Sequence, residues 1–170
     1  MASITIQQIE LYKLFIPLKD PFVISLGPIY NAENVLVVIR TNEGITGFGE
    51  CSPFMSINGE SADTGMVVGQ YFAKLLKGKN ALDIAAHIEA MDKTIYGNSS
   101  IKSAFDMALY DIASQHAGVP LYEYLGGNTN KTIITDYTVS IGEPQKMAQD
   151  AVKIKEEGYP AIKIKLGKDG

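Results

Sequence analysis

The sequence has little cysteine and little histidine, the residues that form disulfides and activate thiols. Its 170 residues include one cysteine, Cys51, and two histidines. A single cysteine excludes an internal disulfide and indicates a reducing compartment. Neither His87 nor His116 lies in a pattern that would activate a thiol. We therefore expect Cys51 to be a small core residue rather than a nucleophile.

Long apolar and long basic runs are also missing. The longest clean apolar run, residues 35–39, is far too short to cross a membrane. Residues 1–10 lack the basic start and apolar stretch of a secretory signal. The formal net charge of −4 and the lack of a basic run argue against nucleic acid as the main partner. We expect a cytoplasmic globular protein with neither a membrane nor a nucleic acid as its partner.

The first part of the chain has the pattern of an α+β domain. Residues 3–50 predict an antiparallel meander of about three strands, with an irregular loop over residues 18–31 between the first two. Helices are predicted over residues 60–77 and 81–92. A third helix has its apolar residues at i, i+3/i+4 and i+7 between Ile101 and Ile112, and Gly118 ends it.

Near residue 130 the pattern changes to a strand (133–140), a helix (144–157) and a strand (161–166). This order predicts a βαβ unit, whose two strands normally lie parallel and are buried on both faces. The predicted organisation is therefore an α+β domain over residues 1–130 and the opening of a larger α/β fold over residues 131–170.

The last strand carries two lysines where apolar residues are usual. Lys163 and Lys165 alternate with isoleucines and Leu166, so both lysines lie on one face. Lysine is rarely buried unless it is paired or used. Side by side, each ammonium disfavours the charge of the other, and a lysine that gives up its proton is a general base. The alternative is an edge strand whose two lysines are simply solvated.

Three motifs resemble the N-terminal half of the enolase superfamily, in its muconate lactonizing enzyme subgroup. They are Gly-Phe-Gly-Glu at residues 47–50, Ser-Ala-Phe-Asp-Met-Ala-Leu-Tyr-Asp-Ile-Ala at 103–113 with its continuation to 127, and Lys-Ile-Lys at 163–165. Residues 135–142 are similar to the first barrel strand of the dipeptide epimerases. The acidic residues within the second motif, Asp106 and Asp111, are five positions apart and are expected to be structural or solvated.

The resemblance implies an α+β capping domain followed by the start of a modified (β/α) TIM-type barrel, with the site at the carboxyl ends of the strands. Its chemistry is removal of a proton α to a carboxylate, with Mg²⁺ as cofactor, to give an enediolate. By the resemblance Lys165 is the base, and Lys163 binds near the carboxylate and stabilises its developing charge. Thr138 would contact the dipeptide backbone or carboxylate; the alternative is a strand residue that only packs in the barrel.

The same resemblance places the metal ligands and the second base on later barrel strands, beyond residue 170, and implies a homo-oligomer. Two segments are candidates for closing over the site, residues 20–27 and 51–56. The first has no arginine or lysine after Lys19. An unpaired buried carboxylate would be costly, so we predict a dipeptide substrate whose second residue is small or apolar, such as Ala-Ala or Ala-hydrophobic.

Other functions fit the same framework. An N-acylamino acid racemase, an o-succinylbenzoate synthase and a muconate cycloisomerase are alternatives within the superfamily. A binding homologue that keeps the fold without catalysis is the alternative from another class.

Overall fold

The computed structural model describes residues 4–24, 26–128 and 131–166. In chain order its elements are β1 Ile6–Ile24, β2 Gly27–Thr41, β3 Thr46–Cys51, α1 Met55–Asn58, α2 Ala62–Leu76, α3 Ile84–Thr94, α4 Ser99–Ala117, α5 Leu121–Tyr124, β4 Asp136–Val139, α6 Pro144–Glu156 and β5 Ala161–Ile164. The strands form two sheets, one in the order β1-β2-β3 and one that pairs β4 with β5. The predicted α+β class is confirmed.

Contacts divide the chain into two compact units. The first contains Met1–Phe15 and Glu33–Asn128, and the second contains Ile16–Ala32 and Thr129–Gly170. The end of the β1–β2 hairpin therefore groups with the β4–α6–β5 segment. The domain limits at residue 130 stay a prediction. Thr129 and Asn130, in the polar linker expected at residues 128–130, lie outside the described residues.

Helix α4 is the centre of the first unit. Its buried face repeats at the predicted helical spacing and contains Ile101, Ala104, Phe105, Ala108, Leu109, Ile112 and Ala113. The helix contacts β3, α2 and α3. The rings of Phe72 and Phe105 meet edge to face, with centroids 5.6 Å apart. The periodicity predicted this helix correctly because an amphipathic helix buries the stripe that its sequence spacing defines.

The contact between β3 and α4 brings two of the family-like motifs together. A Cβ on Gly49 would lie 1.8 Å from the Ala104 carbonyl oxygen, and a Cβ on Gly47 would lie 2.1 Å from that of Ala108. The Asp111 carboxylate accepts a hydrogen bond from the backbone N–H of Phe48 at 3.0 Å. Both motifs thus serve one close packing contact, and Asp111 is structural, as expected.

The prediction of an irregular loop over residues 18–31 is wrong. β1 continues to Ile24 and β2 begins at Gly27, so the two strands form a long hairpin. β1 is an edge strand, where Pro17 and Pro21 are tolerated because an edge strand needs fewer backbone N–H donors. The turn is made near Gly27, whose φ of 121° suits glycine.

The second unit contains the predicted βαβ order. β4 and β5 are parallel, with Asp136 opposite Ala161 and Val139 opposite Ile164. Helix α6 joins them, begins with Pro144 in its first turn and contacts both strands. Both strands are shorter than predicted, since residues 133–135 and 140 are not part of β4 and residues 165–166 are not part of β5. In the ranges that the structure describes, no helix is long and apolar enough to cross a bilayer.

Candidate active site

The structure places the three predicted site residues on one face of the parallel strand pair. Thr138 of β4 lies directly opposite Lys163 of β5. Residues opposite each other share a face of the sheet, and Lys165, two positions beyond Lys163, shares it too. The Lys165 backbone N–H donates to the Val139 carbonyl at 3.3 Å, which fixes the backbone of Lys165 just past β5. The carboxyl ends of both strands therefore present a hydroxyl and two amines together.

The surroundings of the two lysines differ. Lys163 is exposed, whereas Lys165 and Thr138 are half-buried. The expectation that both faces of the strands are buried is wrong for the described residues, because Ile164 is 57% exposed and Leu166 is 75% exposed. A pair of strands with one helix against it has too few neighbours to cover both faces.

The end of the β1–β2 hairpin lies against Lys165. The Nζ atom of Lys165 is 4.1 Å from the centroid of the Phe22 ring, which is the geometry of a cation–π contact. The next residue, Val23, accepts a hydrogen bond at 3.5 Å from the backbone N–H of Ile141, just beyond β4. Sequence reasoning placed Phe22 in a closing segment but missed its contact with Lys165, since no local spacing relates residues so far apart.

The second candidate closing segment, residues 51–56, ends in α1. Met55 and Ile57 of this short helix are largely exposed, at 71% and 78%. Directly after the helix, the buried carboxylate of Glu60 accepts hydrogen bonds from the Ser99 hydroxyl at 3.1 Å and from the Ser100 N–H at 3.0 Å. Glu60 therefore caps the start of α4. Asn98, the residue directly before α4, makes no side-chain capping bond.

The remaining titratable candidates have structural surroundings. The ring of His87 is buried and its Nε2 lies 2.7 Å from the Asn80 carbonyl oxygen. His116 pairs with Glu43 at 3.5 Å. Burial, with a smaller effect from the charge of Glu60, raises the pKa of the Cys51 thiol to about 11. Cys51 is thus the core residue expected.

The donor side chains of the described residues do not converge on a metal site. Residues 4–24, 26–128 and 131–166 contain no group of three or more His, Cys, Asp or Glu side chains arranged to hold a metal ion. Mg²⁺ prefers several oxygen ligands, and carboxylates are its usual protein ligands. The described residues therefore do not make a magnesium site, and the placement of the ligands beyond residue 170 stays a prediction.

The three-stranded sheet packed on α4, followed by a parallel βαβ unit, is the arrangement of the N-terminal part of an enolase-superfamily protein. Residues 8–126 match the family model described as "Mandelate racemase / muconate lactonizing enzyme, N-terminal domain". The chain belongs to this family.

The chain is similar to several epimerases. It is 60% identical over 162 residues to the D-Ala-D/L-Ala epimerase of Cytophaga hutchinsonii, covering 95% of this chain and 44% of that protein. It is 39% identical to the L-Ala-D/L-Glu epimerase of Bacillus subtilis, with the same coverage of 95% and 44%. A crystal structure of the Cytophaga hutchinsonii dipeptide epimerase with Mg and D-Ala-L-Val matches it with a TM-score of 0.93, at 59% identity over 95% of this chain and 44% of that one. The chain thus spans less than half the length of these relatives.

Proposed function

We propose that the complete protein containing this chain is a Mg²⁺-dependent dipeptide epimerase that inverts the α-carbon of the C-terminal residue. The observation that carries the proposal is the placement of Lys163, Lys165 and Thr138 on one face at the carboxyl ends of two parallel strands. That is the end of such strands at which barrel enzymes bind substrates. The family membership and the 60% identity to a named epimerase support it.

In the proposed reaction Lys165 takes the α-proton from one face of the bound dipeptide. Lys163 lies two residues before Lys165, within β5. It stabilises the negative charge that develops on the substrate carboxylate. The hydroxyl of Thr138, opposite Lys163, donates a hydrogen bond to the dipeptide backbone or carboxylate. A bound Mg²⁺ would supply further stabilisation of that carboxylate. Return of a proton to the opposite face falls to a group outside the described residues.

We propose a small or apolar second residue in the dipeptide, as in Ala-Ala or Ala-Val. The segment 20–27 places the ring of Phe22 beside Lys165 and contains no lysine or arginine. A carboxylate side chain on the substrate would find no cation in this segment, and burying it unpaired is unfavourable. The Cytophaga hutchinsonii relative, named for Ala-Ala and solved with D-Ala-L-Val, supports the same substrate class.

The test is ¹H NMR of dipeptides in D₂O with the full-length protein and Mg²⁺. Epimerisation removes the α-proton signal of the C-terminal residue and produces the signals of the second diastereomer. We expect the highest kcat/KM for Ala-Ala or Ala-Val and a much lower value for Ala-Glu. Each dipeptide is assayed with both L-alanine and D-alanine as its first residue. Lys165→Ala should abolish epimerisation, whereas Lys155→Ala, at an exposed lysine of α6, should leave it unchanged.

Three results would contradict the proposal. Turnover of N-succinylamino acids but not of dipeptides would favour the racemase alternative. Faster turnover of Ala-Glu than of Ala-Ala would refute the substrate class. No reaction with any of these compounds, in a protein that binds Mg²⁺, would favour a non-catalytic homologue. A homo-oligomer is part of the proposal and is tested by light scattering of the same preparation.

A further inference from the structure

We propose that Phe22 is a positioning residue for Lys165, an inference that rests on the proposed function. The Lys165 Nζ atom lies 4.1 Å from the centroid of the Phe22 ring. A cation within about 6 Å of a ring face is attracted by the ring's quadrupole. The contact thus selects one location for the amine at the end of a long and flexible side chain.

Backbone hydrogen bonds hold the segments that carry Phe22 and Lys165 near the end of β4. The backbone of Lys165 is fixed by its hydrogen bond to the Val139 carbonyl, at the end of β4. The backbone beside Phe22 is fixed by the hydrogen bond from Ile141 to the Val23 carbonyl, two residues past that end. The backbone segments that carry the ring and the amine are therefore both hydrogen-bonded at or just past the end of β4, although they are far apart in sequence.

The contact has two chemical consequences. The ring covers one side of the amine, and this contact must be broken before a reagent can reach the amine. The ring also fixes the distance from which the amine approaches the α-carbon, and proton transfer is sensitive to misplacement of about 1 Å. Lys163, which is exposed, has no equivalent half-buried setting.

Two variants distinguish the effect of the aromatic ring from the effect of an apolar side chain at the same position. Phe22→Leu keeps an apolar side chain but removes the ring, and Phe22→Tyr keeps the ring. Phe22 is half-buried and outside the hydrophobic core, so both variants are expected to fold. Phe15→Leu is the matched control, because Phe15 is a 65% exposed phenylalanine of the same strand.

The first measurement needs no substrate. The full-length protein is acylated with a succinimidyl ester, and the ratio of modification at Lys165 to that at Lys155 is measured by mass spectrometry. Loss of a cation–π contact is expected to raise this ratio about two- to fivefold in Phe22→Leu. The ratio should stay at the wild-type value in Phe22→Tyr and Phe15→Leu. An unchanged ratio in Phe22→Leu, or an equal rise in Phe22→Tyr, would overturn the proposal.

The second measurement is the kinetics of epimerisation. Misplacement of the base predicts a kcat about tenfold lower for Phe22→Leu, with KM little changed and with recovery in Phe22→Tyr. A rise in KM alone would make Phe22 a substrate contact instead and would overturn the positioning role. Failure of the proposed function can be told apart from failure of the positioning role. A wild-type protein that turns over no dipeptide would still give the acylation ratio, which tests the Phe22–Lys165 contact without substrate.

Discussion

Gly49 should be intolerant of any side chain, because the backbone of α4 occupies the space that a Cβ would need. The Cβ of an alanine would lie 1.8 Å from the Ala104 carbonyl oxygen, 2.7 Å from its carbonyl carbon and 3.1 Å from its Cα. Contacts of a real Cβ are almost never shorter than 3.0 Å, so α4 would have to retreat by about 1.2 Å, the difference between 3.0 and 1.8 Å. Since α4 carries the buried face of the core, this retreat loosens packing along the helix.

The expected loss in the free energy of unfolding depends on which atoms the new Cβ would clash with. Overpacking a core costs about 1–3 kcal/mol when side chains can adjust. Here the obstacle is helix backbone, so Gly49→Ala should lower the free energy of unfolding by about 3 kcal/mol or more. That is a large share of the roughly 5–15 kcal/mol by which domains are stable.

Gly65→Ala is the matched control in the same core. A Cβ on Gly65 of α2 would lie 3.5 Å from the Cys51 Sγ and 3.5 Å from a Val35 methyl, which is ordinary contact. Alanine is favoured over glycine inside a helix by up to about 1 kcal/mol, so this variant should be neutral or more stable. The assay is urea unfolding followed by far-ultraviolet circular dichroism, since the sequence has no tryptophan. Equal stability of Gly49→Ala and wild type, or equal losses in both variants, would refute the steric explanation.

Three further predictions concern buried or half-buried polar groups of the first unit. The raised pKa of Cys51, about 11, leaves about one thiol in a thousand ionised at pH 8, so native protein should resist thiol reagents until urea unfolds it; labelling within minutes would contradict this. Burial raises the pKa of Asp106 above its ordinary 3.8, so ionisation opposes folding. Asp106→Asn should therefore raise stability at pH 7, and the gain should shrink as the pH falls and vanish well below the ordinary pKa of 3.8, where both states are protonated; a gain unchanged by pH would refute it. Glu60→Ala should lower stability by about 2 kcal/mol and Glu60→Gln by less, measured by the same unfolding assay, because an amide oxygen still accepts from Ser100.

The parts of the fold that the sequence predicted are those set by local periodicity. The apolar spacing from Ile101 to Ile112 predicts α4, and the alternation around Lys163 and Lys165 predicts β5. In both cases the residues that share a face are fixed by 3.6 or 2 residues per repeat, whatever the partner is. The strand–helix–strand order likewise predicts the parallel pairing, because a helix between two strands returns the chain in the same direction.

The parts that the sequence did not predict depend on residues far apart in the chain. Glu60 caps α4 from 39 and 40 positions before Ser99 and Ser100, a separation that no local pattern relates. The hairpin was missed because Pro17 and Pro21 read as strand breakers until β1 is known to be an edge strand. The Phe22–Lys165 contact has no signal in spacing at all.

Family membership and the proposed chemistry depend on different parts of this chain. The family match covers residues 8–126, which include Gly47, Gly49 and the 103–113 motif but exclude Thr138, Lys163 and Lys165. The motifs within the match meet in the packing of β3 on α4, so a binding homologue without catalysis would keep them for stability. Among the residues that the structure describes, the strand pair beyond the match is what distinguishes an epimerase from such a homologue. The comparison of Lys165→Ala with Lys155→Ala is therefore decisive, because both changes leave the β3–α4 contact untouched and only one removes the proposed base.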